Sequence, residues 1–200
     1  MKLTDLHKLL NSELTTKIKD SIIENDELLI NVDVNNLYST ILFLKTNLKC
    51  KFRQLIDIVA ADYPSEEKRF RIYYLLLSHE NNSRIKISVS LNIDEKISSI
   101  TKIYPSANWM EREVFDMYGI KFKGHPDLRR ILTDYNFKGF PLRKDFPLTG
   151  FNEVRYSEKE KKVAYEPVKL EQDYRDFDFE SPWEGTRYMK DIKEKEKKDV

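Results

Sequence analysis

Cysteine occurs once in these 200 residues, at Cys50, and that scarcity excludes a good deal. One thiol makes no internal disulfide, and one chain with one thiol builds no all-thiolate iron–sulfur or zinc site. A reducing compartment fits it. Glycine is nearly as scarce, with five residues and neither a GxGxxG nor a GxxxxGK[ST] pattern, so a nucleotide-cradling loop has little material. The longest apolar runs, Ile41–Leu44 and Ile72–Leu77, fall far short of the roughly 18–20 residues that cross a bilayer. The opening MKLTDLHKLLNSEL has no apolar h-region, no cleavage site and no arginine, so it reads as neither a secretory signal nor a transit peptide. Nor is there an excess of charge. With 35 basic and 34 acidic side chains the net charge is +1, which argues against nucleic-acid binding driven by bulk electrostatics.

The apolar share, 40%, is enough for a core, and the length suits one compact domain with an appendage. Leu3, Leu6, Leu9, Leu10 and Leu14 recur at helical spacing. Ile22–Ile23 and Leu28–Val34 flank the polar Glu24–Glu27 stretch as a strand pair, and Leu37–Leu48 predicts a helix capped by Asn35 or Asn36. Strands are expected over Gln54–Tyr63, halted by Pro64, then over Phe70–Ser78 and Arg84–Leu91, joined by HENNS. The last of these alternates apolar and polar, so one face is buried and one wet. Phe70–Leu77 is apolar on both faces, which suggests a central strand covered by helices on one side and another layer, or a partner, on the other. The expected fold is α+β: a small mixed or antiparallel sheet with helices packed on it, followed by a long extended C-terminal segment. The expected boundaries are a core domain over 1–120, a Pro/Gly-punctuated partner-wrapping segment over 121–185 and a charged tail over 186–200. Tyr174, Phe177, Phe179 and Trp183, set among Asp and Glu, suggest that this segment docks as an extended arm.

The densest information lies between Trp109 and Leu148. Asn108 followed by Glu111 reads as a capping box opening a helix. Met110, Val114 and Met117 share one of its faces, and Gly119 ends it in a left-handed cap with Phe115 placed against Ile120. Arg112 and Asp116, four apart, are expected to pair on the outer face. Glu111 and Glu113 invite an acid/base reading with His125, because paired carboxylates let an enzyme split two pKa values. Two apart on a helix they diverge, however, which favours a cap and a salt-bridged surface; a buried one is expected to meet an arginine. His125, in GHPD, is expected to bond locally within a shaped turn. Arg129, Arg130, Arg143 and Lys144, interleaved with Tyr135, Phe137 and Phe140, resemble a single-stranded RNA platform. Asp127, Asp134 and Asp145 neutralise that patch, and the prolines stiffen it, which favours a protein interface.

YPSANWMEREVFDMYGIKFKGHPDLRRIL followed by GFPLRKDFPLTG resembles the signature of the 30-kDa subunit of respiratory NADH:quinone oxidoreductase (complex I). The likeness begins near Leu37, includes DIVAADYP at Asp57–Pro64 and extends to Trp183. It implies a core subunit of the peripheral arm of a proton-pumping enzyme that itself holds no flavin, quinone or iron–sulfur cluster. It also implies packing against the 49-kDa subunit and its neighbouring Fe–S cluster subunits. The family motif falls on Glu111, Arg112, Glu113, Asp116, Gly119, Gly124, His125, Pro126, Arg129, Arg130, Pro141, Arg143, Lys144 and Asp145. The role expected of these residues is assembly geometry, with no catalytic, cofactor or metal site. Arg143 in particular is expected to make a bidentate pair with a carboxylate, either on the large partner subunit or on this chain's own helix Trp109–Tyr118. Length and composition lean toward a mitochondrially encoded protein on the matrix side of the inner membrane; the alternative is the cytoplasmic face of a bacterial inner membrane. Two rival readings stay open: a small acid/base enzyme using Glu111, Glu113 and His125, and a single-stranded RNA binder.

Overall fold

The computed structural model describes residues 3–170 and 172. The expected arm residues Tyr174, Phe177, Phe179 and Trp183 and the charged tail lie outside them. The described chain divides into two units, one up to Gly150 and one from Phe151.

Helix α1 (Leu3–Glu13) leads into strands β1 (Ile18–Glu24) and β2 (Glu27–Val32), a hairpin. Its two turn residues, Asn25 and Asp26, both take positive φ, the conformation a two-residue hairpin turn demands and which Asn and Asp tolerate. Helix α2 (Leu37–Thr46) crosses to β3 (Gln54–Asp62), after which β4 (Phe70–Ser78) and β5 (Ser83–Leu91) return as a meander. Asn36 precedes α2, but its side chain makes no capping bond. The sheet runs β1-β2-β5-β4-β3, with β2 and β5 parallel and every other pair antiparallel. The fold is thus α+β with a mixed sheet, as the strand and helix periods predict.

One face of this sheet is the core. Ile30, Ile87, Tyr74 and Ile58 line up across neighbouring strands, as do Leu28, Ile85, Leu76 and Leu55, and all are buried. Leu6, Leu10, Leu37, Ile41, Leu44, Ala107 and Val114 from the helices complete one apolar cluster. Burying each such side chain stabilises by about 1.5–3 kcal/mol. On the other face Tyr73, Leu75 and Leu77 are only half-buried, and Val59 is exposed. The second cover expected over β4 is absent among the described residues. The middle strand is β5, with Ser88 buried on the face expected to be wet.

A short parallel pair, β6 (Lys96–Ser98) with β7 (Lys121–Lys123), brackets α3 (Ala107–Tyr118). From there to Gly150 the chain has little regular structure. The second unit contains a hairpin of β8 (Asn152–Ser157) and β9 (Lys162–Pro167), which carries an Arg155–Glu166 ion pair.

Candidate functional site

Helix α3 and the chain from Gly124 to Asp145 form one knot, made largely by side chains bonding to backbone. Asp116 is at its centre. Its carboxylate is fully buried; Oδ2 accepts the N–H groups of Ile131, Leu132 and Thr133 at 2.9, 2.7 and 2.9 Å. Oδ1 accepts the Thr133 hydroxyl at 2.6 Å and Arg130 Nη1 at 3.2 Å. Burial pushes this carboxyl up, but the bonds from Thr133, Ile131 and Leu132 outweigh it and hold the group below its usual range. The outer-face Arg112–Asp116 pair is therefore not formed. Arg112 instead donates to the carbonyls of Arg129 and Arg130, at 3.1 and 3.2 Å. Helical spacing permits the pair, but three N–H donors in a turn are a better match for a buried carboxylate than one mobile guanidinium.

Two arginines lock the rest. Arg130 lies over the rings of Phe137 and Phe140 and donates to the Gly139 carbonyl at 2.8 Å. Arg143 stacks on Phe140 and Phe70, 4.4 and 5.1 Å from their centroids, while its Nε donates to the Tyr118 carbonyl at 2.7 Å. The anchor on this chain is thus the C-terminal carbonyl of α3 and two rings, rather than a helix carboxylate. Burial, with the charge of Arg69 behind it, lowers the Arg143 pKa. Gly119, at φ 79°, caps α3 as expected, its N–H bonding the Phe115 carbonyl. A Cβ there would lie 2.6 Å from the Phe140 ring and 2.7 Å from Arg143 Nη2, so glycine is required by space as well as by φ.

The far end of the knot is tied to the sheet by a residue that no local sequence pattern singles out. Asp62, the last residue of β3, has a fully buried carboxylate gripped by Arg69 Nε and Nη2 at 2.6 and 2.8 Å. It also accepts the Lys144 N–H at 2.7 Å, and Arg69 reaches on to Asp145 at 2.9 Å. The hydrogen bond from Arg69 lowers the Asp62 pKa. DIVAADYP carries Asp62, but nothing in strand periodicity announces an anchor 82 residues from its partner.

Glu111 departs most from expectation. The helix begins at Ala107 after Ser106, without a side-chain cap, and Glu111 points inward, fully buried. Oε1 accepts the Ile100 N–H at 2.7 Å, and Oε2 has no hydrogen-bond partner among the described residues. No arginine among them meets it. His125 Nε2 lies 4.0 Å from Oε2, and both side chains are fully buried. Desolvation raises the Glu111 carboxyl to about 7, against the opposing pull of the Ile100 N–H and the Ser99 hydroxyl. His125 bonds locally, as expected: Nδ1 accepts the Asp127 N–H at 3.0 Å and Nε2 lies 3.1 Å from the Asn108 carbonyl.

The remaining motif residues are at the surface. Glu113 is exposed, Arg129 pairs with Asp127 at 2.8 Å, and Gly124 and Pro126 line a groove of about 290 Å³ with Thr101, Lys102, Pro105 and Asn108. Pro141 is half-buried beside the exposed Leu142. Around the knot stand Trp109, Leu132, Tyr135 and Leu148, 62–99% exposed.

This geometry speaks against both rivals. Glu113 faces solvent while Glu111 and His125 are sealed inside, so no cleft offers the three to one substrate. Arg143 and Phe140 are spent on each other, Arg129 on Asp127, so no basic-aromatic face assembles for RNA.

Residues 30–152 match the family model described as the respiratory-chain NADH dehydrogenase 30 Kd subunit. The C-type subunit of NADH-quinone oxidoreductase from Ruegeria pomeroyi is 53% identical over 191 residues, covering 94% of this chain and 96% of that protein. Its counterpart in Dinoroseobacter shibae is 57% identical over 167 residues, covering 84% of this chain and 78% of that one. A chain of an archaeal respiratory membrane complex, the membrane-bound sulfane sulfur reductase, superposes with a TM-score of 0.63 over 74% of this chain and 87% of its own. At 23% identity that likeness speaks for the fold. By sequence and by fold, then, the chain belongs to the family of the respiratory-chain NADH dehydrogenase 30 Kd subunit.

Proposed function

We propose that this chain works as the 30-kDa subunit of a proton-pumping NADH:quinone oxidoreductase, a core scaffold of the peripheral arm that supports electron flow from NADH to quinone without holding a redox centre. The observation that carries this is the knot itself. Asp116, Arg112, Arg130, Arg143 and Asp62 each bond backbone groups of the knot, fixing it with apolar side chains left outside. A rigid surface presenting Trp109 from α3 with Leu132, Tyr135 and Leu148 from the chain after it is costly to leave in water and well suited to be covered by another protein. The half-exposed sheet face bearing Tyr73, Leu75 and Leu77 is a second such surface. The partner we assign to the knot is the large 49-kDa subunit, beside the subunits that carry the arm's Fe–S clusters.

No helix among the described residues is long and apolar enough to cross a membrane, which suits peripheral attachment through partner subunits. The attachment side is the matrix face of a mitochondrial inner membrane, or the cytoplasmic face of a bacterial one. Fractionation of native membranes tests the assignment: the chain should co-migrate with a large NADH-oxidising assembly that fails to form when the chain is deleted. A complex that is intact and active without it would overturn the reading.

A further inference from the structure

Glu111 is buried without a cation. On its own helix it has no charged partner. The titratable groups facing it from the elements packed around it are Tyr74 on β4 and His125 in the Gly124–Asp127 turn; from the stretch after β6 it meets only the Ile100 N–H and the Ser99 hydroxyl. The Tyr74 hydroxyl is itself buried and unpartnered among the described residues. The histidine is committed elsewhere. Because Nδ1 accepts the Asp127 N–H, the ring carries its proton on Nε2 and donates it to the Asn108 carbonyl. A carboxylate in that position has the Ile100 N–H and the Ser99 hydroxyl beside it but no counter-charge, an arrangement proteins avoid by keeping the proton on the acid.

We propose that Glu111 and His125 form a proton-operated latch between α3 and the Gly124–Asp127 turn, closed while Glu111 keeps its proton and released when the proton is lost to water. In the closed state the imidazole ties the turn to the Asn108 carbonyl. When the carboxyl ionises, the same Nε2–H stands 4.0 Å from the unpartnered Oε2. The imidazole then leaves Asn108 for Glu111, and the turn moves with it. Asn108, Gly124 and Pro126 all line the groove above, so its wall and the start of the knot shift together. Only a proton is exchanged, and the device depends on this chain's own fold rather than on any assembly it joins.

Hydrogen exchange of the full-length chain tests this between about pH 5.5 and pH 8.5, with intrinsic rates corrected for pH. Protection of the amides at 123, 124, 125 and 127 should fall as the pH rises toward about 7, by up to about tenfold per pH unit, and level off above it, as release of one proton requires. Glu111→Gln keeps the shape of the acid and has no proton to lose, so its protection should be high and flat. A flat wild-type profile, or the same slope in Glu111→Gln, overturns the latch. Carbon-13 NMR of labelled glutamates in the wild-type protein decides the matter even if the variant does not fold. One carboxyl should still be protonated near pH 6; finding every glutamate ionised there refutes the proposal.

Discussion

Five hydrogen bonds converge on Asp116, and no other buried carboxylate among the described residues receives so many. Replacing it with Asn keeps the volume but turns one acceptor oxygen into an NH2 group facing backbone donors. Charge-assisted bonds are worth about 1.5–3 kcal/mol each relative to an unmade pair, and these act as a unit. Asp116→Asn should therefore lower stability by about 2–4 kcal/mol, read as a shift in thermal or urea unfolding. The pH dependence follows from sign. The folded-state pKa of Asp116 is depressed, so its contribution is present above the ordinary carboxylate value and is lost as pH falls through the folded value. The acid limb of the stability curve should be shallower in Asp116→Asn, and an unchanged limb would show that the turn is held by something else. Arg143 makes a contrasting case. Its planar fork lies between two rings while Nε reaches a carbonyl, and lysine reproduces the charge but not the stack. Arg143→Lys should cost about 1–2 kcal/mol in the isolated chain. That differs from what an arginine reserved for a partner's carboxylate would do, since such a mutant would unfold like the wild type.

At the scale of elements, Gly119 joins a cap to a crowded contact. Alanine there must take φ 79° and also displace Phe140 or the Arg143 guanidinium, so Gly119→Ala should destabilise by more than about 1 kcal/mol. Circular dichroism should show the rest of the helix content kept, because the loss is confined to the junction of α3 with the knot. The elements themselves were legible because their signals are local. The Asn25–Asp26 turn, the alternation in Arg84–Leu91 and the glycine after Tyr118 each declare a conformation within a few residues. The start of α3 misled for the same reason. Asn108 and Glu111 stand at capping-box spacing, but what decides the direction of Glu111 is the Ile100 N–H, 11 residues back, and the wall of core around it. The Asp62–Lys144 tie was invisible on the same grounds, since no local pattern records a contact that distant in sequence. The structure brings Arg112, Asp116, Gly119, Arg130 and Arg143 together in one knot, but the Arg112–Asp116 pair that spacing offered is not made, because each bonds backbone groups instead, and Arg143 anchors on the Tyr118 carbonyl.

For the whole molecule the question is why so specified a knot of helix and loop leaves large apolar side chains in solvent. Tyr135 is 99% exposed and Trp109 69%, so neither adds much to the stability of the chain alone. Surface positions of this kind usually change stability by no more than about 0.5 kcal/mol, whereas an aromatic anchor in a protein interface is worth about 2 kcal/mol or more. The two quantities separate cleanly in one experiment. Tyr135→Ala, alone and combined with Trp109→Ala, should leave urea unfolding of the isolated chain unchanged. Either variant should lower the amount of assembled NADH-oxidising complex recovered on native gels. Leu48→Ala supplies the comparison, being 82% exposed but outside the knot, and it should assemble as the wild type does. If all three variants assemble alike, the exposed row is not the docking surface, and the half-covered sheet face would take its place as the surface to mutate. If the aromatic variants assemble fully yet pass electrons to quinone slowly, the knot acts on the chemistry of the complex rather than on its construction. Loss of assembly at constant stability is the outcome the geometry requires.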